Sequence, residues 1–153
     1  MSGRIWVDAD ACPVPVREMI LRACQRTQCP VTFVANHPLP LPQRSWVSFQ
    51  QVPAGFDVAD GVIAHQVSTN DLVVTQDIPL AAIVVEKGAL SVSPRGERYD
   101  AQSVRQRLSM RNFMEELRNS GVQTGGKATF SERDRRQFAQ VLDSWLQRRN
   151  SAH

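Results

Sequence analysis

Three observations predict an α/β fold: a three-layer α/β/α arrangement around a mostly parallel, five-stranded sheet, with a helical pair at the C-terminal end. First, strand-like apolar runs alternate with helix-patterned segments over residues 1–93, as in a parallel sheet covered on both faces. Second, the pattern changes near residue 100, where long polar helical stretches replace the alternation. Third, 153 residues with 42% hydrophobic and 22% charged side chains suit one domain with a single core. The domain is read as 1–153, with an α/β core over 1–95 and a helical extension over 100–149.

The elements follow in order. RIWVD, 4–8, is the first strand. Pro13 and Pro15 lead into a helix over roughly 15–26, with Val16, Met19, Ile20 and Ala23 on one face. VTFVA, 31–35, is the second strand, and the Pro-rich NHPLPLPQ after it cannot be regular structure. SWVSFQQV, 45–52, alternates and reads as a third strand at an edge. A helix over 57–67 follows, with Asp57 as its N-cap. DLVVTQ, 71–76, is the fourth strand, IPLAAIVVEKG a short helix ended by Gly88, and ALSVSP a brief fifth strand. A polar helix is expected over 100–119, then a glycine-rich connection, then a last helix over 131–149 opened by a Ser131/Asp134 capping box. The two helices would pack through Leu108, Phe113, Leu117, Phe138, Val141, Leu142 and Trp145.

Composition narrows the class of protein. No apolar run approaches the ~20 residues of a membrane span. Asp8 and Asp10 stand where a secretion signal would be apolar. A cytoplasmic protein with Cys12, Cys24 and Cys29 reduced is therefore expected. Residues 1–80 carry five Lys/Arg against seven Asp/Glu, a net of −2; residues 81–153 carry thirteen against eight, a net of +5. An acidic half beside a basic half suits a site that holds metal and phosphate together.

The acids carry the functional signal. Asp8 closes the first strand and Asp10 lies just past it, Asp57 and Asp60 open the helix after the third strand, and Asp77 follows the fourth. Parallel sheets place functional groups at the carboxyl ends of their strands, near the point where strand order reverses. Converging carboxylates repel, so either their pKa values rise or a cation compensates them. Oxygen ligands without a His or Cys cluster select Mg²⁺ or Mn²⁺ over zinc. Asp8, Asp10, Asp60 and Asp77 are the candidate ligands and catalytic acids. For Asp57 and Asp77, plain helix capping is the competing reading.

Around them, Asn36 past the second strand is a candidate to orient water or phosphate, with His37 at the rim. Arg111, Lys127 and Arg135 are candidate phosphate contacts, by charge and by bidentate geometry for the arginines. Cys12 near a helix start, with Arg17 five residues on, misses the Cys-x5-Arg spacing of a cysteine phosphatase loop and reads as a packed thiol.

The stretches VDADACPVPVRE, VVTQDIPLA and TGGKATFSERDRRQFAQVLDSWL together resemble the YaiI/YqxD family of bacterial proteins, over nearly the whole chain. The resemblance implies a relation to PIN-like domains. These have a five-stranded, Rossmann-like parallel sheet and are mostly metal-dependent ribonucleases holding Mg²⁺ or Mn²⁺ with three or four acids. On that footing Asp8 is the acid of the first strand, Asp77 that of Thr75-Gln76-Asp77, and Asp60 or Asp57 the helical acid. A metal-dependent nuclease acting on RNA is the leading expectation. Two alternatives stand beside it. In a haloacid-dehalogenase-like phosphatase, Asp8 would be nucleophile, Asp10 general acid, Thr75 a phosphate contact and Lys87 the cation. In a non-catalytic module, the same scaffold would bind nucleic acid or protein.

Overall fold

Successive residues of each central strand enter two different helical layers, so nearly every position is apolar, with Thr32 and the terminal Asp8 as buried polar exceptions. The computed structural model describes residues 3–54, 58–109 and 130–151. Its elements are β1 (Ile5–Asp8), a single 3-10 turn (Ala9–Ala11), α1 (Val14–Thr27), β2 (Val31–Ala35), β3 (Val47–Gln51), α2 (Val58–Gln66), β4 (Leu72–Val74), α3 (Ile78–Glu86), β5 (Leu90–Val92), β6 (Arg98–Tyr99), α4 (101–109) and α5 (Glu132–Ser151).

The sheet has six strands in the order β3-β2-β1-β4-β5-β6, all parallel except β6. The expected parallel core is present, and one strand was not foreseen. β6 is two residues long, too short for a period-2 signal. It is made by a turn in which Ser93 N–H donates to Glu97 O (2.9 Å) and Gly96 N–H to Ser93 O (2.9 Å). Gly96 takes φ +86° there, a left-handed conformation that disfavours a side chain.

One layer holds α1 and α5. Ile5, Val7, Phe33, Leu72 and Val74 pack with Val16 and Ile20 of α1 and with Phe138, Leu142 and Trp145 of α5. The other holds α2 and α3, where Trp6, Val34 and Val73 meet Ile63, Leu80 and Val84. The alternation along β1 (Ile5 and Val7 one way, Trp6 the other) is the pleat expressed as burial. α5 presents Phe138, Val141, Leu142, Trp145 and Leu146 at helical spacing. Leu108 of α4 instead packs beside Ala81, Tyr99 and Val104. The described parts of the C-terminal region thus join different clusters. Phe113 and Leu117 lie outside the described residues.

Two caps anchor the C-terminal helices. The Ser131/Asp134 box forms as expected: Asp134 N–H donates to Ser131 Oγ (3.2 Å) and Ser131 N–H to Asp134 Oδ2 (2.9 Å). Asp100 and Ser103 make the same reciprocal pair at α4. No helix among the described residues is long and apolar enough to cross a membrane.

Candidate functional site

The strand order reverses between β1 and β4, since the chain leaves β1 toward β2 and β3 but leaves β4 toward β5. The loops leaving those two strands therefore diverge and open a crevice at their carboxyl ends. Asp8 ends β1 there and is buried, at 8% exposed. Thr75, 1% exposed, follows β4 and donates its hydroxyl to Asp8 Oδ2 at 3.0 Å. The same hydroxyl oxygen accepts Asp77 N–H at 3.0 Å. Asp77 caps α3, its Oδ1 accepting Leu80 N–H at 2.8 Å. Gln76 Nε2 then reaches back to Ala11 O at 2.9 Å and ties the two loops together.

Burial pushes the Asp8 carboxyl above its ordinary value, the Thr75 hydrogen bond offsets part of this, and the charges of Asp77 and Asp10 push it further up. Asp77 and Asp10, the charges that raise it, are both acidic. This is a carboxylate without a compensating cation among the described residues.

Asp10 is held differently. The register sets Asp8 opposite Val34, so Asp10 lies level with Asn36 two residues beyond. Both Asp10 oxygens accept Asn36 N–H, at 3.2 and 3.0 Å, and Oδ1 meets His37 Nδ1 at 2.9 Å. Asp10 fixes the loop after β2 to the loop after β1, and Asn36 contributes its backbone N–H to that link. The Asn36 carboxamide oxygen lies 3.3 Å from His37 Nδ1.

Among the described residues no group of three or more His, Cys, Asp or Glu is placed to hold a metal. The expected cage of three or four acids is therefore not assembled from them. Asp60 is the third residue of α2; Asp57, Arg111 and Lys127 lie outside the described residues. Asp8 and Asp77 still fit one kind of ion. Mg²⁺ keeps most of its waters and takes one or two carboxylates plus substrate phosphate, rather than an all-protein cage. Asp8 is buried with one hydroxyl donor, and the described contacts of Asp77 engage a single carboxylate oxygen.

The remaining candidates lie elsewhere. Arg135 is exposed near the start of α5, and no described contact joins it to Asp8, Thr75 or Asp77. Lys87 caps the far end of α3, its ammonium on Ala64 O, so it is not at the crevice where a phosphatase cation would be needed. Burial pushes the Cys12 thiol up to about 12, against a smaller lowering by Arg17, so it is a packed thiol and not a thiolate nucleophile. Asp71, placed in the fourth strand by its sequence, instead precedes β4 and is buried at 5% exposed. It accepts Arg4 N–H (3.0 Å), Ser68 N–H (2.9 Å) and the Trp6 indole N–H (2.9 Å), a structural carboxylate at the amino ends of the central strands. Sequence reasoning passed over Gln76 and gave Arg17 only a spacing test; neither the side-chain reach of one nor the buried Nε of the other has a periodic signature.

Fold and site together define an α/β protein with an acidic crevice at the switch point of a mostly parallel sheet. The chain belongs to the family described as "Uncharacterized BCR, YaiI/YqxD family", which it matches over residues 6–148. It is similar to a UPF0178 protein of Marinobacter nauticus, 59% identical over 144 residues, covering 94% of this chain and 96% of the relative. A UPF0178 protein of Psychromonas ingrahamii is 57% identical over 144 residues, covering 94% and 95%. One of Yersinia pestis is 55% identical over 150 residues, covering 97% and 99%. No solved structure matches the chain.

Proposed function

We propose that this protein is a divalent-metal-dependent nuclease, with RNA as the favoured substrate and Asp8 and Asp77 as the protein ligands of Mg²⁺ or Mn²⁺. One observation carries the reading: Asp8 is buried at the switch point, its described charged neighbours are acids, and its described donor is a single hydroxyl. A buried carboxylate in that setting either takes a proton or takes a cation. The PIN-like resemblance and the net +5 of residues 81–153 favour a polyanionic substrate.

A divalent ion at these acids supplies Lewis acidity to a phosphoryl oxygen and acidity to water. The chain's own residues do the rest. Thr75 locks the Asp8 carboxylate and braces the Asp77 backbone with one hydroxyl. Gln76 holds the loops at a fixed separation. Asp10 keeps His37 at the rim. Its oxygens accept from Asn36 and meet His37, and in this reading it is a positioning acid.

The test is calorimetric titration of Mn²⁺ into wild type and the Asp8→Asn/Asp77→Asn double variant, followed by cleavage of a single-stranded oligoribonucleotide with and without chelator. Saturable binding lost in the double variant, and cleavage that needs the metal, are expected. A wild type that binds no Mn²⁺ with or without the oligonucleotide overturns the proposal. RNA binding that survives both chelation and the double substitution, without cleavage, would identify a binding module instead.

A further inference from the structure

The end of the molecule opposite the crevice carries positive charge that the fold leaves unmatched. Two adjoining cavities open there, of about 340 and 560 Å³, and share the wall made by Asn70 and Asp71. Arg148 and Arg149 of α5 line the first, and Arg4 lines the second. Asp71 is the one acid among the described residues that line them, and it is already occupied by the N–H groups of Arg4, Ser68 and the Trp6 indole. No ion pair joins Arg4, Arg148 or Arg149 to an acid among the described residues.

Two of these guanidiniums are nevertheless held in place. Arg149 Nε donates to Gly3 O at 2.7 Å, and its outer amino groups make no contact among the described residues. The Gly3–Arg4 peptide group is clamped at its other end too, where Arg4 N–H donates to Asp71 Oδ1 at 3.0 Å. Gly3 lies so close to the turn before β4 that a Cβ would meet Asn70 O at 1.9 Å. Arg4 lies over the Trp6 ring, 5.8 Å from its centroid. A helix C-terminus favours cations, which accounts for charge in the last turn of α5. It does not account for a guanidinium fixed to another element, nor for Arg4, which precedes β1.

The spread of these groups points to the ligand. Trp145 packs in the layer of α1 and α5, and Trp6, under Arg4, in the layer of α2 and α3, so the cations lie beneath both faces of the sheet. That span suits a chain of anions rather than one. Between the cations stand the exposed side chains of Ser68, Thr69 and Asn70. Hydroxyls and amides of this kind, with arginine, contact phosphate and sugar. Trp6 and Trp145 are 3% and 5% exposed and offer no face on which a base could stack. Such a surface reads a backbone and not a sequence.

We propose that Arg4, Arg148 and Arg149 form a metal-independent binding surface for the sugar-phosphate backbone of single-stranded RNA, at the opposite end of the strands from Asp8. The choice of RNA rests on the nuclease reading above; capture of a polyanionic backbone without metal does not.

The experiment is fluorescence anisotropy of a labelled single-stranded oligoribonucleotide with full-length protein in chelator, over a series of salt concentrations. Wild type should bind, with log affinity falling against log salt at a slope of about −2 or steeper, as one phosphate contact per arginine requires on a single strand. Arg4→Ala/Arg148→Ala/Arg149→Ala should bind at least about tenfold more weakly at low salt, with a slope shallower by about 2. Arg22→Ala/Arg133→Ala/Arg136→Ala removes the same charge from exposed arginines elsewhere and should bind like wild type. No wild-type binding without metal, undiminished binding by the first triple variant, or equal losses in the two would each overturn the proposal. If the first triple variant does not fold, Arg148→Ala decides, since that side chain is exposed: unchanged affinity and slope overturn the proposal. Failure of the nuclease reading has a different signature. Wild type that binds RNA through these arginines but does not cleave it with Mn²⁺ would sink that reading and leave this one standing.

Discussion

Asp8 and Thr75 concentrate the chemistry of the molecule in two side chains 67 positions apart in sequence. Asp8→Asn keeps the shape and an oxygen to accept from Thr75, and it removes the charge. It should fold, and its Mn²⁺ affinity should fall by at least about a hundredfold in calorimetry. Thr75→Val removes a hydroxyl that both donates and accepts. It should cost about 1–3 kcal/mol in urea unfolding, because Asp77 N–H loses its partner. It should also weaken metal binding by about ten- to a hundredfold, the usual effect of losing a group that orients a ligand. The pH dependence has a definite sign. The Asp8 carboxyl titrates above its unfolded value of 3.8. Between the two values the metal-free fold binds more protons than the unfolded chain. This group's contribution therefore falls as pH rises through that window. Asp100 and Asp134, held low chiefly by the N–H groups of Ser103 and Ser131, act in the opposite sense. The measurement is thus wild type minus Asp8→Asn, by urea unfolding without metal at a series of pH values; a difference that does not change with pH would refute it.

At the scale of elements, Asp77 has two duties that substitution can separate. Asp77→Ala removes both the α3 cap and the carboxylate and should cost about 1 kcal/mol. Asp77→Ser can still cap, so thermal unfolding should stay near wild type while Mn²⁺ affinity drops. Loss of stability without loss of metal affinity would leave Asp77 as a cap alone. Gly96 makes a second test, since an added Cβ would lie 2.5 Å from Gln137 C and Phe138 N, in a left-handed backbone. Gly96→Ala should destabilise by about 2 kcal/mol or more, through strain and the displacement of α5. β1, β2, β4, α1 and α3 were legible from sequence because their apolar patterns are strong and prolines, asparticacid caps or glycines mark their ends. β6 was not, because a two-residue strand has no periodicity and depends on the Ser93–Glu97 turn.

For the whole molecule, the basic C-terminal region contributes to the interior as well as to charge. Trp145, 5% exposed, packs in the cluster shared by α1 and the sheet. Trp145→Ala should cost about 3–5 kcal/mol in chemical unfolding, and a loss below about 1 kcal/mol would show that α5 is dispensable to the core. The site was legible in part. Acids at the ends of the first and fourth strands could be read as converging only on the condition that those strands are neighbours; the alternation leaves that open, and the β1–β4 pairing meets it. That Asp10 turns to Asn36 could not, since it depends on the Asp8–Val34 register, which no local pattern encodes. The burial of one nitrogen of Arg17 is likewise a property of packing alone.

The bond between Thr75 and Asp8 also has a consequence for synthesis. β1 leaves the ribosome well before its neighbour β4, Leu72–Val74. Until that later segment emerges, the middle strand has one free edge and its terminal carboxylate lacks its hydroxyl. Pairing of β1 with β4 is therefore the step at which the crevice comes into being. A cation that binds only the completed crevice would draw that equilibrium toward the closed sheet in proportion to its concentration over its dissociation constant.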